Sequence, residues 1–215
     1  MKQVVFAFDF SCNKPAMTCC IDGSIGLYVW PSEIDKVSLG RLVDCDVCVI
    51  DRQLDSIKDK NLNQHQLINE HVHRAVNLAD LIVSTINNIV NENNINKDDV
   101  IVSNEGFAFS SKGNATLDLA GYKYILMERL IENGYTNLRT YSPKTIKKTA
   151  GCSKKGLGKD AMIEAIKTQD DKHKLFTTLR ENDSFLKKKS NYVLCMDDIA
   201  DSYWDMKTCM KETNG

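Results

Sequence analysis

Three short apolar runs fill the first thirty residues, and they limit the possible folds more than any other feature. The runs read VVFAFDF, AMTCCID and IGLYVW and are rich in β-branched and aromatic residues. Asp22-Gly23-Ser24 between the last two is typical of a tight turn. We therefore predict a three-stranded meander at the start of the chain, and such a sheet needs a second layer to cover its apolar face.

Helices and single strands alternate after the meander. VDCDVCVID predicts a further strand, and the following residues to about 64 predict a loop. Apolar spacing then predicts helices over residues 64–91, 115–133, 159–167 and 196–211, a helix from Pro143, and strands over 98–105 and 138–141. This order predicts an α/β fold, with a mixed five-stranded sheet flanked by helices, in one domain over residues 1–215.

The composition is that of an ordinary soluble protein, but its charge is unevenly distributed. Hydrophobic residues make up 42% and charged residues 27% of the chain, and no apolar run approaches the roughly 20 residues that a membrane helix needs. Residues 141–190 contain thirteen Lys and Arg against six Asp and Glu, a net charge of +7 in a chain of net charge −1. We expect a cytoplasmic protein whose basic segment faces a polyanion or forms a solvated lysine-rich surface.

Four acidic residues stand where a carboxylate is unusual. Asp9 interrupts the first apolar strand, and Glu105 ends the strand DDVIVSNE. Asp198 and Asp201 are spaced i, i+3 on the final predicted helix, so both project from one face and repel each other unless a cation lies between them. Each signal alone has an ordinary structural explanation, such as a strand-end Asp that turns toward a loop.

Together the four acids predict a metal site. Ligation by oxygen alone suits Mg²⁺, or Mn²⁺ in its place, better than zinc. Two such ions roughly 4 Å apart can activate a water and stabilise the leaving oxygen of a phosphodiester. We therefore expect Asp9, Glu105, Asp198 and Asp201 to be both the metal ligands and the catalytic acids.

The chain resembles the RuvC family of Holliday junction resolvases, in the RNase H-like superfamily, over nearly its whole length. The family's first-strand Asp matches Asp9 in VVFAFDFS, its strand-ending Glu matches Glu105 in VSNEGFAF, and its D-x-x-D matches Asp198 and Asp201 in MDDIADSYW. The resemblance implies an RNase H-like fold and two Mg²⁺ ions. It also implies an endodeoxyribonuclease that cuts four-way DNA junctions in recombination and repair.

The resemblance extends to the basic segment NLRTYSPKTIKKTAGCSKKGLGKDAM, where the family carries lysines that assist catalysis and hold DNA. Lys159 is the predicted catalytic lysine, and the residues predicted to bind DNA are Phe107, Phe109, Lys144, Lys147, Lys148, Lys154, Lys155 and Lys159. An aromatic side chain beside such a site can stack on an unpaired base, which contributes about 1–3 kcal/mol. The two phenylalanines could equally pack into the core.

The family works as a two-fold dimer, which implies a homodimer here. The helix of residues 115–133 would be the dimer element, with Ala120 and Gly121 permitting close approach beside Leu117, Tyr124 and Leu130. The alternative is an amphipathic helix that packs on its own sheet.

Two departures from the family suggest a divergent member, from a bacteriophage or another virus. Glycine usually follows the first catalytic Asp by two positions, whereas this chain reads Asp9-Phe10-Ser11. Residues 31–63 and 168–192 are longer than in the compact bacterial enzymes and are interpreted as insertions.

Other RNase H-like nucleases remain as alternatives, such as a terminase nuclease domain or an enzyme that cuts flaps or RNA/DNA hybrids. A non-catalytic DNA-binding protein and an actin-like ATPase are disfavoured, the first by the four acids and the second by the lack of a glycine-rich adenosine motif.

Overall fold

A six-stranded mixed sheet forms the centre of the fold. The computed structural model describes residues 4–50, 52, 62–106, 114–154, 157 and 160–213, and of residues 114–118 it describes the backbone alone. The sheet strands are β1 (Val4–Asp9), β2 (Ala16–Ile21), β3 (Ser24–Val29), β4 (Val47–Val49), β5 (Val100–Glu105) and β6 (Leu138–Tyr141), in the order β4-β3-β2-β1-β5-β6. The predicted α/β class with a mixed sheet is confirmed, and the sheet has six strands instead of five.

The predicted meander is confirmed. Strands β1, β2 and β3 pair antiparallel, and the turn between the last two places Asp22 and Gly23 at φ +50° and +85°. Two successive residues at positive φ match the right-handed twist of the flanking strands, which favours Asp and Gly at these positions. Strand β5 pairs parallel to β1, and β6 pairs parallel to β5, so these three strands end at the same edge of the sheet.

Helices cover both faces of the sheet. They are α1 (Lys36–Asp44), α2 (Gln64–Glu92), α3 (Asn114–Glu132), α4 (Pro143–Thr149), α5 (Ala161–Ile166), α6 (Lys174–Glu181) and α7 (Met196–Thr213). Because successive side chains of β1 point to opposite faces, Phe6 and Phe8 join one core with α2 and α3, whereas Val5 and Ala7 join a second core with α7. No helix in the described part of the chain is both long and apolar enough to cross a membrane.

The strand predicted from VDCDVCVID is wrong over its first half. Val43 and Asp44 end helix α1, and only Val47–Val49 form a strand. The side chain of Asp35 accepts hydrogen bonds from two backbone N–H groups of the first turn, and this cap starts a helix that buries Leu42. Apolar and polar residues alternate from the end of α1 into β4, so the sequence pattern did not distinguish the helix end from the strand. The predicted loop that follows lies mostly outside the described residues.

The segment interpreted as a second insertion contains a helix, a short turn and a hairpin. It contains α6, a short 3₁₀ turn over Asp183–Leu186, and a hairpin of β7 (Lys187–Lys188) and β8 (Asn191–Tyr192). Its apolar side chains Leu175, Phe176 and Leu186 are buried in the same core as α7. Whether the segment is an insertion relative to other proteins stays a prediction.

Buried hydrogen bonds fix the position of α7 on the sheet. The hydroxyls of Thr18 on β2 and Ser202 on α7 are hydrogen-bonded at 2.9 Å, and both residues are fully buried. Ser103 of β5 donates to the Asp205 carboxylate at 2.8 Å. Hydrogen bonds have a defined direction and length, so these pairs fix both the rotation and the translation of the helix.

We predict that Ser202→Ala lowers the free energy of unfolding by about 1–3 kcal/mol, because it leaves the buried Thr18 hydroxyl without its acceptor. Adding Thr18→Val should recover part of the loss, since both polar partners are then replaced by apolar groups. Urea unfolding of the single and double variants measures this, with the exposed Ser153→Ala as control. Additive losses in the double variant would contradict the prediction.

Candidate active site

Two acidic side chains end neighbouring parallel strands. Phe8 of β1 lies opposite Asn104 of β5, so Asp9 and Glu105 are the next residues at the same edge. Each is the last residue of its strand. The pairing of β1 with β5 stops at Phe8 and Asn104, while Asp9 stays paired with Ala16 of β2 and Glu105 with Tyr141 of β6. The sheet topology therefore brings together two acids that are far apart in the sequence.

Helix α7 brings further acids to this edge. It packs against β1, β2 and β5, and Asp198 and Asp201 lie in its first two turns. The charges of Asp201, Asp198 and Glu105, in that order, all act on Asp9. The structure therefore brings the four predicted acids into one electrostatically coupled group, called here the acid cluster (Asp9, Glu105, Asp198 and Asp201).

Burial makes the ionised form of every acid in the cluster unfavourable. It raises the pKa of Asp9 well above the ordinary value, and the neighbouring carboxylates raise it further. It raises the pKa of Asp198 and of Asp201 to about 7, with Asp197 adding to the first and Glu105 to the second. Burial also raises the pKa of Glu105, against the opposing charges of Lys123 and Lys147. The ionised form of the cluster is therefore stable only where positive charge lies close to it.

Lys123 of α3 supplies a positive charge that acts on Asp9 and Glu105. It is only 5% exposed, and its ammonium group donates to the backbone carbonyl of Glu105. Burial lowers the pKa of Lys123, while the charges of Glu105, Asp9 and Asp205 oppose that change. A lysine is rarely so buried unless acids surround it, so Lys123 belongs to the site.

Lys14 supplies a second positive charge from the loop after β1. Its Nζ lies 3.2 Å from Asp198 Oδ2 and 3.6 Å from Asp197 Oδ1. The contact with Asp198 is an ion pair without well-directed hydrogen-bond geometry, because that buried oxygen accepts no hydrogen bond from the described residues. Burial lowers the pKa of Lys14, but the charges of Asp198 and Asp197 together with the contact to Asp198 outweigh it, and the net change is upward.

One of the basic residues predicted to bind DNA lies near the acid cluster. Lys147 of α4 is near enough to lower the pKa of both Glu105 and Asp201. Lys144 and Lys148 are exposed on the same helix, and Lys154 is exposed in the loop that follows. Four predicted residues lie outside the described residues: Phe107, Phe109, Lys155 and Lys159.

The donor set of the cluster fits a hard divalent cation. It consists of carboxylate oxygens at a largely buried edge, which suits Mg²⁺ or Mn²⁺, and one of them, Asp198 Oδ2, already has a cation, the Lys14 ammonium, at 3.2 Å. As they are placed, however, no three His, Cys, Asp or Glu side chains of the described residues could hold one ion between them. Lys14 and Lys123 lie among the acids, so the observed arrangement is the one neutralised by lysine.

Three residues of the site were missed by sequence reasoning. Lys123 lies in a predicted amphipathic helix, in which a charged residue is expected to face solvent. Lys14 lies in a loop, where no hydrophobic periodicity predicts the position of a side chain. Asp205 is fully buried one turn beyond Asp201, and burial raises its pKa to about 7. The spacing of Asp198, Asp201 and Asp205 continues one helical face, and this signal could have identified the third acid.

The helix predicted to form a dimer lies on the opposite face of the sheet from α7. Leu130 is buried against its own core, as the intramolecular alternative requires. Tyr124 is 64% exposed, and a side chain at Gly121 would meet open space. The exposed part of α3 leaves room for a second copy, and the homodimer stays a prediction.

Comparisons with known proteins give matches among solved structures alone. No protein family model matches the chain, and no curated protein is significantly similar to it in sequence. The chain is similar to Thermus thermophilus RuvC, with 8% identity and a TM-score of 0.47 over 98% of this chain and 97% of that one. It is also similar to T. thermophilus RuvC in complex with Holliday junction substrate, with 7% identity and a TM-score of 0.47 over 98% of this chain and 96% of that one. The third similar structure is the yeast mitochondrial Holliday junction resolvase Ydc2, with 11% identity and a TM-score of 0.46 over 97% of this chain and 78% of that one.

Proposed function

We propose that the protein is an endonuclease that cuts four-way DNA junctions by divalent-cation-dependent hydrolysis of phosphodiester bonds. The observation that carries the proposal is the acid cluster, in which three separate elements bring one buried and three half-buried carboxylates to one sheet edge. A purely structural role does not account for it, because burying several acids that raise one another's pKa destabilises the folded protein. The motif resemblance to the RuvC family supports the same chemistry.

The acid cluster would hold Mg²⁺, or Mn²⁺ in its place, through Asp9, Glu105, Asp198 and Asp201. The bound cations would supply neutralisation of phosphate charge and activation of a water. Lys123 keeps the end of β5 in place through its hydrogen bond to the Glu105 carbonyl. Lys14 pairs with Asp198 and orients the start of α7.

The basic helix α4 would bring the DNA backbone to the cluster. Lys147 is near both Glu105 and Asp201, so its charge acts where a phosphate would be cut. The exposed Lys144, Lys148 and Lys154 continue the positive surface away from the acids. A four-way junction presents two symmetric strands, so paired cuts need two active sites related by a two-fold axis. We therefore propose a homodimer on DNA.

We predict that divalent cations stabilise the protein at pH 8 and not at pH 5. Asp198 and Asp201 have pKa values of about 7 in the folded protein, above the ordinary value of 3.8. The folded protein therefore takes up protons, and without metal its stability should fall as the pH rises from about 4 to about 7. At pH 8 Mg²⁺ at a hundredfold excess over its Kd should raise the unfolding temperature by roughly 5–10 °C.

Thermal unfolding with Mg²⁺, Mn²⁺ or Na⁺ at equal ionic strength measures the effect. Mg²⁺ should raise the unfolding temperature of Asp201→Asn less than that of the wild type. Asp80 is exposed and paired with Arg129, so Asp80→Asn should show the full rise in unfolding temperature. An unfolding temperature that does not respond to any divalent cation at pH 8 would contradict the metal site.

We predict that Asp201→Asn abolishes cutting of a four-way junction while junction binding is kept or tightened, because the change removes a ligand and also reduces repulsion of phosphate. Residues that only support metal ligands change activity by about 10–100-fold, so we expect a loss of roughly 100-fold or more. The assay compares a four-way junction with linear duplex, flap and RNA/DNA hybrid in Mg²⁺, with Asp80→Asn as control. Paired nicks in the junction support the proposal. If a monomer cuts flaps or hybrids equally well, the protein is another kind of nuclease and the resolvase assignment is contradicted.

We predict different effects for two neighbouring lysines of α4. Lys147→Ala should slow cleavage more than it weakens binding, because Lys147 is the lysine that acts on Glu105 and Asp201. Lys148→Ala should mainly weaken binding and reduce the dependence of log K on log salt by about 1. Single-turnover cleavage and salt-dependent binding separate the two effects. Equal and small effects would identify α4 as a solvated surface.

A further inference from the structure

Lys14 contacts one acid of the acid cluster and one acid outside it. Its ammonium group lies 3.2 Å from Asp198 Oδ2 and 3.6 Å from Oδ1 of Asp197, which is not among the four predicted ligands. The Asp198 side chain is only 9% exposed, whereas that of Asp197 is 39% exposed. Lys14 therefore lies between a buried carboxylate of the proposed cation site and an exposed carboxylate beside it.

Backbone hydrogen bonds hold the loop that carries Lys14. The carbonyl groups of its two neighbours, Asn13 and Pro15, accept hydrogen bonds from the N–H groups of Ser32 at 2.7 Å and Trp30 at 3.0 Å. These bonds tie the loop to the residues that follow β3. The Lys14 side chain is partly exposed and ends in a flexible four-carbon stem. Its ammonium group can thus exchange one carboxylate for the other while the backbone of the loop stays in place.

The Lys14 ammonium group and a divalent cation compete for Asp198. Both are positive, and like charges about 4 Å apart repel each other even in water. In the structure Lys14 occupies the oxygen that Asp198 would offer to a cation. Asp197 offers the lysine a second carboxylate one residue away, and both acids lie in the first turn of α7, where the helix N–H groups favour negative charge. The displaced lysine therefore has a partner within reach.

We propose that Lys14 controls the entry of a divalent cation into the acid cluster by moving between two carboxylates. It neutralises Asp198 while no cation is bound, and it pairs with Asp197 when a cation binds. Asp197 is then a positioning residue, which acts on the cation site through Lys14. The ammonium group has a carboxylate partner in both states, so neither state leaves its charge unpaired. The inference rests on the proposed function, because it concerns the cation of the proposed nuclease.

Binding of Mn²⁺ without DNA tests the role of Lys14 at pH 8, above the pKa of about 7 of Asp198. Lys14→Met removes the competing charge, so Mn²⁺ should bind more tightly by about fivefold or more. Lys207→Met is the matched control and should leave the Kd unchanged, because Lys207 is similarly exposed and pairs with Asp171, outside the acid cluster. Isothermal titration calorimetry measures the Kd. If Lys14 only holds α7 in place, Lys14→Met binds Mn²⁺ equally or more weakly, and the inference is wrong.

A double-variant cycle tests the role of Asp197. Asp197→Asn should weaken Mn²⁺ binding by about tenfold, because Lys14 then has Asp198 as its remaining partner. Asp197→Glu keeps the charge and should restore most of the affinity. In a Lys14→Met background, Asp197→Asn should have a much smaller effect. An equal effect in both backgrounds would mean that the charge of Asp197 acts directly on the cation, and it would overturn the inference.

A crystal structure with Mn²⁺ tests the movement itself and needs no variant that has to fold. Lys14 Nζ should then lie nearer to Asp197 than to Asp198, and an ammonium group still 3.2 Å from Asp198 beside a bound ion would contradict the inference. A wild type that binds Mn²⁺ and cuts junctions, with the same Kd in the Lys14 and Asp197 variants, would overturn the inference and leave the proposed function in place. A wild type that binds no divalent cation would overturn both.

Discussion

Repulsion between buried carboxylates is the constraint on which the arrangement of the site depends. Four acids lie at one sheet edge, and burial raises the pKa of each. The charges of other acids in the cluster raise the pKa of Asp9 and of Asp201 further. Such a group stays folded only where other interactions hold its elements in place. The buried pair of Thr18 and Ser202 and the bond from Ser103 to Asp205 hold α7 on the sheet. The polar contacts below the site thus offset the repulsion within it.

Three lysines on different elements supply positive charge to the acid cluster, and each lies in a different environment. Lys123 is buried and contacts the main chain of β5, so it is fixed in place. Lys14 is partly exposed in a loop and pairs with the start of α7. Lys147 belongs to an exposed basic helix and acts on the cluster at longer range. Fixed charges can hold the acids together without a metal, while exposed charges remain available to a polyanion.

The acids of the site could be predicted from sequence because each interrupts a pattern. Asp9 breaks an apolar strand, and Asp198 and Asp201 share one face of a helix. Lys123 and Lys14 could not be predicted, because a single lysine in an amphipathic helix and a single lysine in a loop carry no periodic signal. Their positions result from tertiary contacts of α3 with the end of β5 and of the loop after β1 with α7. Helix α1 was missed for a different reason, since its last residues continue into an alternating strand pattern.

The two lysines also explain why the donor set suits a divalent cation although no three acids are placed to hold one. Lys14 pairs with the Asp198 carboxylate, and the charge of Lys123 acts with those of Glu105 and Asp9, so part of the negative charge is already neutralised while no three acids of the described residues surround one centre. A divalent cation carries two charges at one point and can replace that neutralisation only when the acids are ionised. Competition between lysine and metal should therefore make cation affinity depend on pH, because the pKa of Asp198 and of Asp201 is about 7. The same competition keeps a buried acidic edge stable before any cation arrives.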